Sequence, residues 1–411
     1  RMNADAVQAG SRTVSEASST STPAAATGAS AETTSRTPAE ATTGTRAKAS
    51  TSTTAKAGFG TAAKAGSGTV AVVGSANLDL VAHTPRAPEA GETVLGTRLS
   101  VVEGGKGANQ AIAAAAFAPT AFVGCVGDDD AGRRLLGNLA RSGVRTDWVA
   151  TGTQPSGHAL ITVAEDGENR IVVIPGANRE LTPEHVVASL DALRPAVVLC
   201  QLEIPLESVT AAARWTREHG AVFLLNPSPM RDLPPDLAAL VDVLLVNTGE
   251  ARAMLAQEVA LTQPGVIAGR ADPAQHAEPA RGADPALDAD PTGQSQVQHP
   301  NCLPAEALRT DHRAVVVTAG SRGAALARPG RDSVHVPAEA VEVVDTTGAG
   351  DAFAGALAGL LARGAELEAC VREANAAAGR IVALAREQRD AQAGPGEPER
   401  GCQRSHPPAL I

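Results

Sequence analysis

The apolar positions of this chain fall into two alternating patterns. Short runs at residues 69–74, 196–200, 221–225, 243–246 and 314–318 are apolar at almost every position, as expected of strands buried on both faces. Between them lie longer Ala-rich segments with helical spacing, at residues 109–117, 131–141, 206–219 and 352–363. This alternation predicts an α/β fold with a mainly parallel central sheet. Two further stretches, 92–102 and 158–174, read as strand pairs without a helical crossover, the second turning at Asp166-Gly167. They predict a small antiparallel flap beside the main sheet.

Composition interrupts the pattern in three places. Residues 1–68 are dominated by Ala, Thr, Ser and Gly, with too few large apolar side chains to offset the entropy of ordering, and are expected to be a disordered tail. Arg46, Lys48, Lys56 and Lys64 would suit an organellar transit peptide, whereas Glu16, Glu32 and Glu40 weigh against one. Repeated Asp-Pro, Pro-Ala and His-Pro pairs make 257–304 a low-complexity insertion in a surface loop. Residues 388–411, with Gly394-Pro395-Gly396 and Pro407-Pro408, read as a loose C-terminal tail. The folded domain is then 69–387, with lid segments at about 80–103 and 156–176.

Composition also narrows the chemistry. Hydrophobic residues make up 43% of the chain but aromatics only 2%, with no tyrosine, so the core must be built from Ala, Val and Leu. Aromatic platforms for stacked bases are lacking, and a net charge of −10 supplies no basic footprint for nucleic acid. Cys125, Cys200, Cys302, Cys370 and Cys402 are scattered, odd in number and free of C-x-x-C spacing, as in a reduced cytoplasmic protein without a zinc site. No apolar run approaches the ~18 residues of a membrane span, so a soluble protein is expected.

The most informative polar segment is Asp345-Thr346-Thr347-Gly348-Ala349-Gly350-Asp351. A helix starting near Gly348 would leave the N–H groups of Gly348, Ala349 and Gly350 without intrahelical partners at the positive end of its dipole, ready to hold a phosphoryl group. Asp351, in the first turn, would stay ionised and could accept a proton from a substrate hydroxyl. Cradle and base together suit phosphoryl transfer to an alcohol. Taken alone, the same residues would equally cap an ordinary helix.

In α/β folds ligands gather beyond the C-terminal ends of the strands, and several predicted strands are followed there by polar residues. Asn77 and Asp79 follow the first, able either to bind a polyol or to form an Asx turn. Residues 104–110, GGKGANQ, offer glycines for close backbone approach and Lys106 and Asn109 as donors. They form no Walker A loop, because Ser100 and Gly107 stand where that pattern needs Gly and Ser/Thr, and no G-x-G-x-x-G follows the first strand. Glu203, Asn247, Glu250 and the turn at Thr318, Gly320, Ser321, Arg322 and Gly323 follow later strands, the last able to wrap a nucleotide's phosphates or ribose.

These segments, in order, resemble the ribokinase (PfkB) family of carbohydrate kinases over roughly residues 69–384, apart from the Pro-rich insertion. The resemblance implies a three-layer αβα domain with a mainly parallel central sheet and an antiparallel β lid used for homodimerisation. It implies ATP and Mg²⁺ as cofactors, an activating K⁺, and no nucleic-acid or membrane partner. It assigns sugar contacts to Asn77, Asp79, Gly105, Lys106, Asn109, Glu203 and Asp351, with Asp351 as general base and Gly348, Ala349 and Gly350 as anion hole. ATP contacts fall to Asn247, Thr318, Gly320, Ser321, Arg322, Gly323, Gly350 and Asn375, water-mediated Mg²⁺ to Glu250, and a monovalent cation to Asp345 and Thr347. Within the family, GGKGANQ and residues 88–94 are similar to the members that phosphorylate the 5-hydroxyl of D-ribose. Deoxyribose, a nucleoside or another sugar are alternatives, as is a sugar-binding regulator without turnover. The chain departs from the family at 385–392, where a Gly-Ala loop completing the cation site is replaced, which implies weak or absent potassium activation.

Overall fold

The computed structural model describes residues 68–262, 302–310 and 313–384. The chain opens with β1 (Val70–Val73), β2 (Asn77–Thr84), β3 (Arg98–Gly104), α1 (Lys106–Ala115), β4 (Thr120–Gly127), α2 (Asp130–Arg141) and β5 (Arg145–Gly152). It continues through β6 (Gly157–Ala164), β7 (Asn169–Ile174), α3 (Pro183–Leu193), β8 (Val197–Cys200), α4 (Leu206–His219), β9 (Val222–Leu225), α5 (Pro235–Ala238) and β10 (Val243–Asn247). The last third holds α6 (Thr248–Thr262), α7 (Leu303–Leu308), β11 (Ala314–Thr318), β12 (Ala324–Ala327), β13 (Val334–Val336), α8 (Ala349–Ala362) and α9 (Leu367–Val382).

Among the described residues the strands form two sheets. The larger runs β13-β12-β11-β10-β9-β8-β1-β4-β5, parallel from β11 to β5, with β12 and β13 antiparallel at one edge. Its side chains alternate between two cores. Val70 and Val72 of β1 face the core built with α1, α2, α8 and α9, whereas Ala71 and Val73 face the one built with α3, α4, α6 and α7. Burial on both faces is why these strands read as unbroken apolar runs. The three-layer α/β class expected from the sequence is the class observed.

The smaller sheet, ordered β3-β2-β6-β7, is built from the segments expected as the lid; β3 with β2 and β6 with β7 are antiparallel, and β2 with β6 is parallel. The hairpin expected at 158–174 forms, as β6 and β7. The pair expected at 92–102 does not form there: β3 pairs instead with β2, and residues 92–97 carry no strand. β2 is buried at Asn77, Asp79, Val81 and Thr84 and more open between, an alternation that marks a strand with one covered face. Pro85, Pro88 and Gly91 then break it. Asn77 and Asp79 are therefore strand residues, not turn residues.

Other boundaries also shift. α1 begins at Lys106, three residues before the expected start, because Gly105 opens it at φ 89°. α6 runs to Thr262 and α7 starts at Leu303, so ordered helix enters both ends of the segment read as the 257–304 insertion. The breakers begin only at Pro264. The rest of that segment, the tail at 1–67 and residues 385–411 lie outside the described residues.

α1 and α8 pack closely where two glycines of α8 meet α1 and its C-terminal end, Gly355 against Ala113 and Ala114 and Gly359 against Ala114 and Phe117. A Cβ at Gly355 would lie 2.5 Å from the Ala113 Cβ and collide with the Gln110 carbonyl oxygen. Gly355→Ala is therefore expected to cost about 1–3 kcal/mol by overpacking, read as a lower urea midpoint. Gly350→Ala, on the same helix where no atom lies within 4 Å, should leave that midpoint unchanged or higher; equal midpoints for both variants would refute the close packing.

Candidate active site

Sheet order alone opens a crevice. The chain leaves β1 toward β4 on one side and later places β8 on the other, so the loops after β1 and β8 diverge around the start of α1. Three polar contacts tie this crevice together. The Ser75 hydroxyl donates to Glu203 Oε2, which also accepts the Lys106 backbone N–H at 3.1 Å. The Ala108 N–H donates to the Ser75 carbonyl at 2.8 Å. Gly105 is required at the turn, since its φ of 89° is left-handed and a Cβ there would sit 2.7 Å from the Asn77 nitrogen.

Glu203 is well buried, and burial is the largest influence on its carboxyl, pushing the pKa above the ordinary value. The Ser75 hydroxyl, the Lys106 N–H and the Lys106 ammonium pull it back, while the negative charge of Asp351 raises it further. Asp351 thus lies within electrostatic reach of Glu203, although 148 residues separate them in sequence (351 − 203).

α8 does begin where the sequence predicts, with Gly348 as N-cap at φ 78° and Asp351 in the first turn. Its first backbone bond of helical spacing runs from the Ala352 N–H to the Gly348 carbonyl, 2.9 Å. Asp351 meets α1 directly: Asn109 Nδ2 donates to Oδ2 at 3.3 Å and Gln110 Nε2 donates to Oδ1 at 2.9 Å. A cleft of about 150 Å³ is lined here by Lys106, Asp351, Gly348 and Gly350 together with Asn247, Glu250 and Thr318.

Asn247 and Glu250 form a reciprocal cap at the start of α6. The Asn247 N–H donates to Glu250 Oε2 at 2.9 Å, and the Glu250 N–H donates to Asn247 Oδ1 at 2.8 Å. Thr248 Oγ1 donates to the Thr318 carbonyl at 3.1 Å, joining this cap to the end of β11.

Some expected residues sit apart from the cleft lining. Gly320, Ser321 and Arg322 form an exposed helical turn beyond Thr318, and Gly323 closes it. Asn375 donates from Nδ2 to the Val336 carbonyl at 3.1 Å, securing the end of β13. The Ala349 N–H is taken by the Thr346 carbonyl at 3.3 Å. Asp345 Oδ1 accepts the Thr347 N–H at 2.8 Å, and both the Val344 and Asp345 N–H groups donate to the Val382 carbonyl.

The structure also brings in residues that carry no expected role. Asn178 donates from Nδ2 to Asn77 Oδ1 at 2.8 Å and accepts the Ala76 N–H at 3.0 Å, fixing the Asn77 amide. Gln110, fully buried, links Asp351 to Asn226 and Gln201. A glutamine at a buried position of an Ala-rich helix was the signal available for it.

Known proteins resemble this chain in sequence and in fold. The family described as pfkB family carbohydrate kinase matches residues 67–392. The ribokinase of Bacillus subtilis is 36% identical over 305 residues, covering 74% of this chain and 88% of that protein. The structure of a ribokinase from Thermotoga maritima superposes with a TM-score of 0.63 at 28% identity, covering 78% of this chain and 95% of that one. The Arabidopsis thaliana ribokinase complexed with ribose and ATP gives a TM-score of 0.58 at 28% identity, covering 77% and 92%.

The raised Glu203 pKa has a signed consequence. Above the ordinary pKa of 4.5 and below the raised folded value, the folded chain holds this proton more tightly than the unfolded chain, so its contribution to stability falls as pH rises through that window. Glu203→Gln keeps an acceptor for Ser75 and Lys106 but removes the titration. Urea midpoints measured from pH 4.5 upward should fall less steeply for the variant; parallel curves would show that Glu203 titrates normally.

Proposed function

The chain belongs to the pfkB family of carbohydrate kinases, and from that premise we propose that it transfers the γ-phosphoryl group of ATP to the 5-hydroxyl of D-ribose, giving ribose 5-phosphate. The observation carrying this reading is the meeting of Asp351 and Lys106, with Asn109 and Glu203 bonded to them, in a cleft also lined by Asn247, Glu250 and Thr318. Asn77, Asp79, Gly105, Lys106, Asn109 and Glu203 hold the sugar. Asn247, the Thr318–Gly323 turn and Gly350 receive the nucleotide, with Asn375 supporting β13 behind that turn.

The sugar hydroxyl attacks the γ-phosphorus in line. Its oxygen forms the new P–O bond, its proton passes to Asp351, and the bond to the β-phosphate oxygen breaks to release ADP. The positive end of α8 favours the charged form of Asp351 and, through the Gly348 and Gly350 N–H groups, stabilises the charge on the transferring group, the Ala349 N–H being taken by the Thr346 carbonyl. Lid closure excludes water as a competing acceptor.

Among the described residues no group of three or more His, Cys, Asp or Glu side chains is placed to cage a metal. A single carboxylate, Glu250, fits a Mg²⁺ that keeps its waters and takes its other ligands from substrate phosphates. When bound, that ion draws charge from the phosphate oxygens. Asp345 and Thr347 are assigned to a monovalent cation, and the replaced segment 385–392 gives weak potassium activation.

The lid carries an exposed apolar strand, with Ile171, Val172, Val173 and Ile174 each 43–60% exposed. A face of this kind suits a second copy of the chain, and we assign homodimerisation to it.

Asp351→Asn is expected to lower kcat by about 10²–10⁴-fold with little change in ribose affinity by calorimetry; near-normal turnover would remove Asp351 as the base. The same ATP-coupled assay should rank ribose above deoxyribose, fructose and nucleosides, and read similar rates in sodium and potassium. Val172→Glu should convert a dimer to a monomer by sedimentation equilibrium, and a monomeric parent chain would refute dimerisation through the lid.

A further inference from the structure

A row of three carboxamides runs beneath Asp351. The Leu245 backbone carbonyl can only accept, and it takes Asn226 Nδ2 at 3.0 Å. Asn226 must then turn Oδ1 toward α1, where it accepts Gln110 Nε2 at 3.1 Å. With its Nε2 so placed, Gln110 spends its second N–H on Asp351 Oδ1 at 2.9 Å and offers Oε1 to Gln201 Nε2, 2.6 Å away. A carbonyl on β10 thus dictates which end of each amide faces its neighbour.

The far end of the row reveals how strongly this direction is held. Gln201 Oε1 is buried against Gly74 with no hydrogen-bond partner. Reversing Gln110 and Gln201 together would keep their mutual bond but press the Gln110 oxygen against both Asp351 Oδ1 and Asn226 Oδ1. An unpartnered neutral acceptor at Gln201 is tolerated, whereas an oxygen facing an ionised carboxylate is not.

We propose that Gln110 is the positioning residue for Asp351, its donor end fixed by the Leu245 carbonyl and Asn226, so that the carboxylate is both aimed and held ionised. This rests on the reading of Asp351 as general base. Gln110 is fully buried in α1 and reaches the cleft through the two lining residues it bonds, Asp351 and Asn226; of these only Asp351 takes part in the proposed chemistry, so the effect on the reaction is exerted through it. Near Asp351 also stand Asn109, which donates to it, and Glu203 from the loop after β8, whose like charge opposes ionisation, while Lys106 from α1 and Glu250 from α6 line the same cleft. Of these, Asn109 shares the carboxylate at Oδ2 and leaves Oδ1 to Gln110.

Gln110→Met, which keeps the length of the side chain but cannot donate, tests this in steady-state kinetics across pH. Turnover should fall about 10- to 100-fold with the ribose KM within about twofold, and the acid limb of the rate profile should move to higher pH because a donor to the charged form is lost. The double variant Gln110→Met/Asp351→Asn should be no slower than Asp351→Asn alone, since both act on one group. A folded Gln110→Met with parental kcat and an unmoved acid limb overturns the positioning role while leaving Asp351 as base. Near-normal turnover in Asp351→Asn instead overturns the base, and the positioning role with it. If Gln110→Met does not fold, Gln110→Glu decides: a second carboxylate beside Asp351 must push the limb upward, and an unmoved limb overturns the role.

Discussion

The site depends on the close approach of α1 and α8. Gln110 and Asp351 are 241 residues apart, and their side chains meet because Gly355 and Gly359 let the two helix backbones come together along Ala113 and Ala114. Any larger side chain at that seam would move the start of α8 relative to the GGKG turn. A displacement of about 1 Å at reacting groups can cost on the order of 10²-fold in rate. The small residues that make the core seem poorly furnished, with 2% aromatics, are what this geometry requires.

Two carboxylates share the crevice and are separated by environment. Glu203 is taken up by Ser75 and the first turn of α1, and burial raises its pKa, so it acts as a clamp joining the loops after β1 and β8. Asp351 stands at the start of α8, bridged by two amide donors and open to the cleft. Pairs of titratable groups held in such different surroundings mark a division of labour. The helix termini differ as well: Glu203 occupies the start of α1, whereas the start of α8, at Gly348 and Gly350, lines the cleft.

Much of the fold was legible in the sequence because both-face-buried strands and Ala-rich helices announce themselves, whereas polar residues at strand ends, such as Asn247 and Glu250, serve helix caps as readily as ligands. β1, β8, β9, β10 and β11 and helices α2, α4 and α8 lie within a few residues of their expected bounds. β4 was missed because Gly124 and Gly127 interrupt its apolar run, and β5 because it is an edge strand exposed at Arg145, Asp147 and Thr151. β2 was missed because its alternation was read as two separate polar site residues. The contacts that organise the site, Ser75 with Glu203 and Gln110 with Asp351, depend on strand order and helix pairing, which no local pattern encodes.

That misreading of β2 has a functional side. Asn77 and Asp79 point to one face of a strand, two residues apart, and that strand continues β1 after only three intervening residues (74–76) while also pairing with β3 and β6. Asp79 packs against Gly104 at the end of β3, and Asn77 is fixed by Asn178 just after β7. The polar groups assigned to the sugar are therefore lid residues as much as crevice residues. A ligand held by them contacts the lid and the α1 turn at once, so its binding energy is available to close the sheet over the cleft, which is how recognition of the acceptor can be linked to exclusion of water.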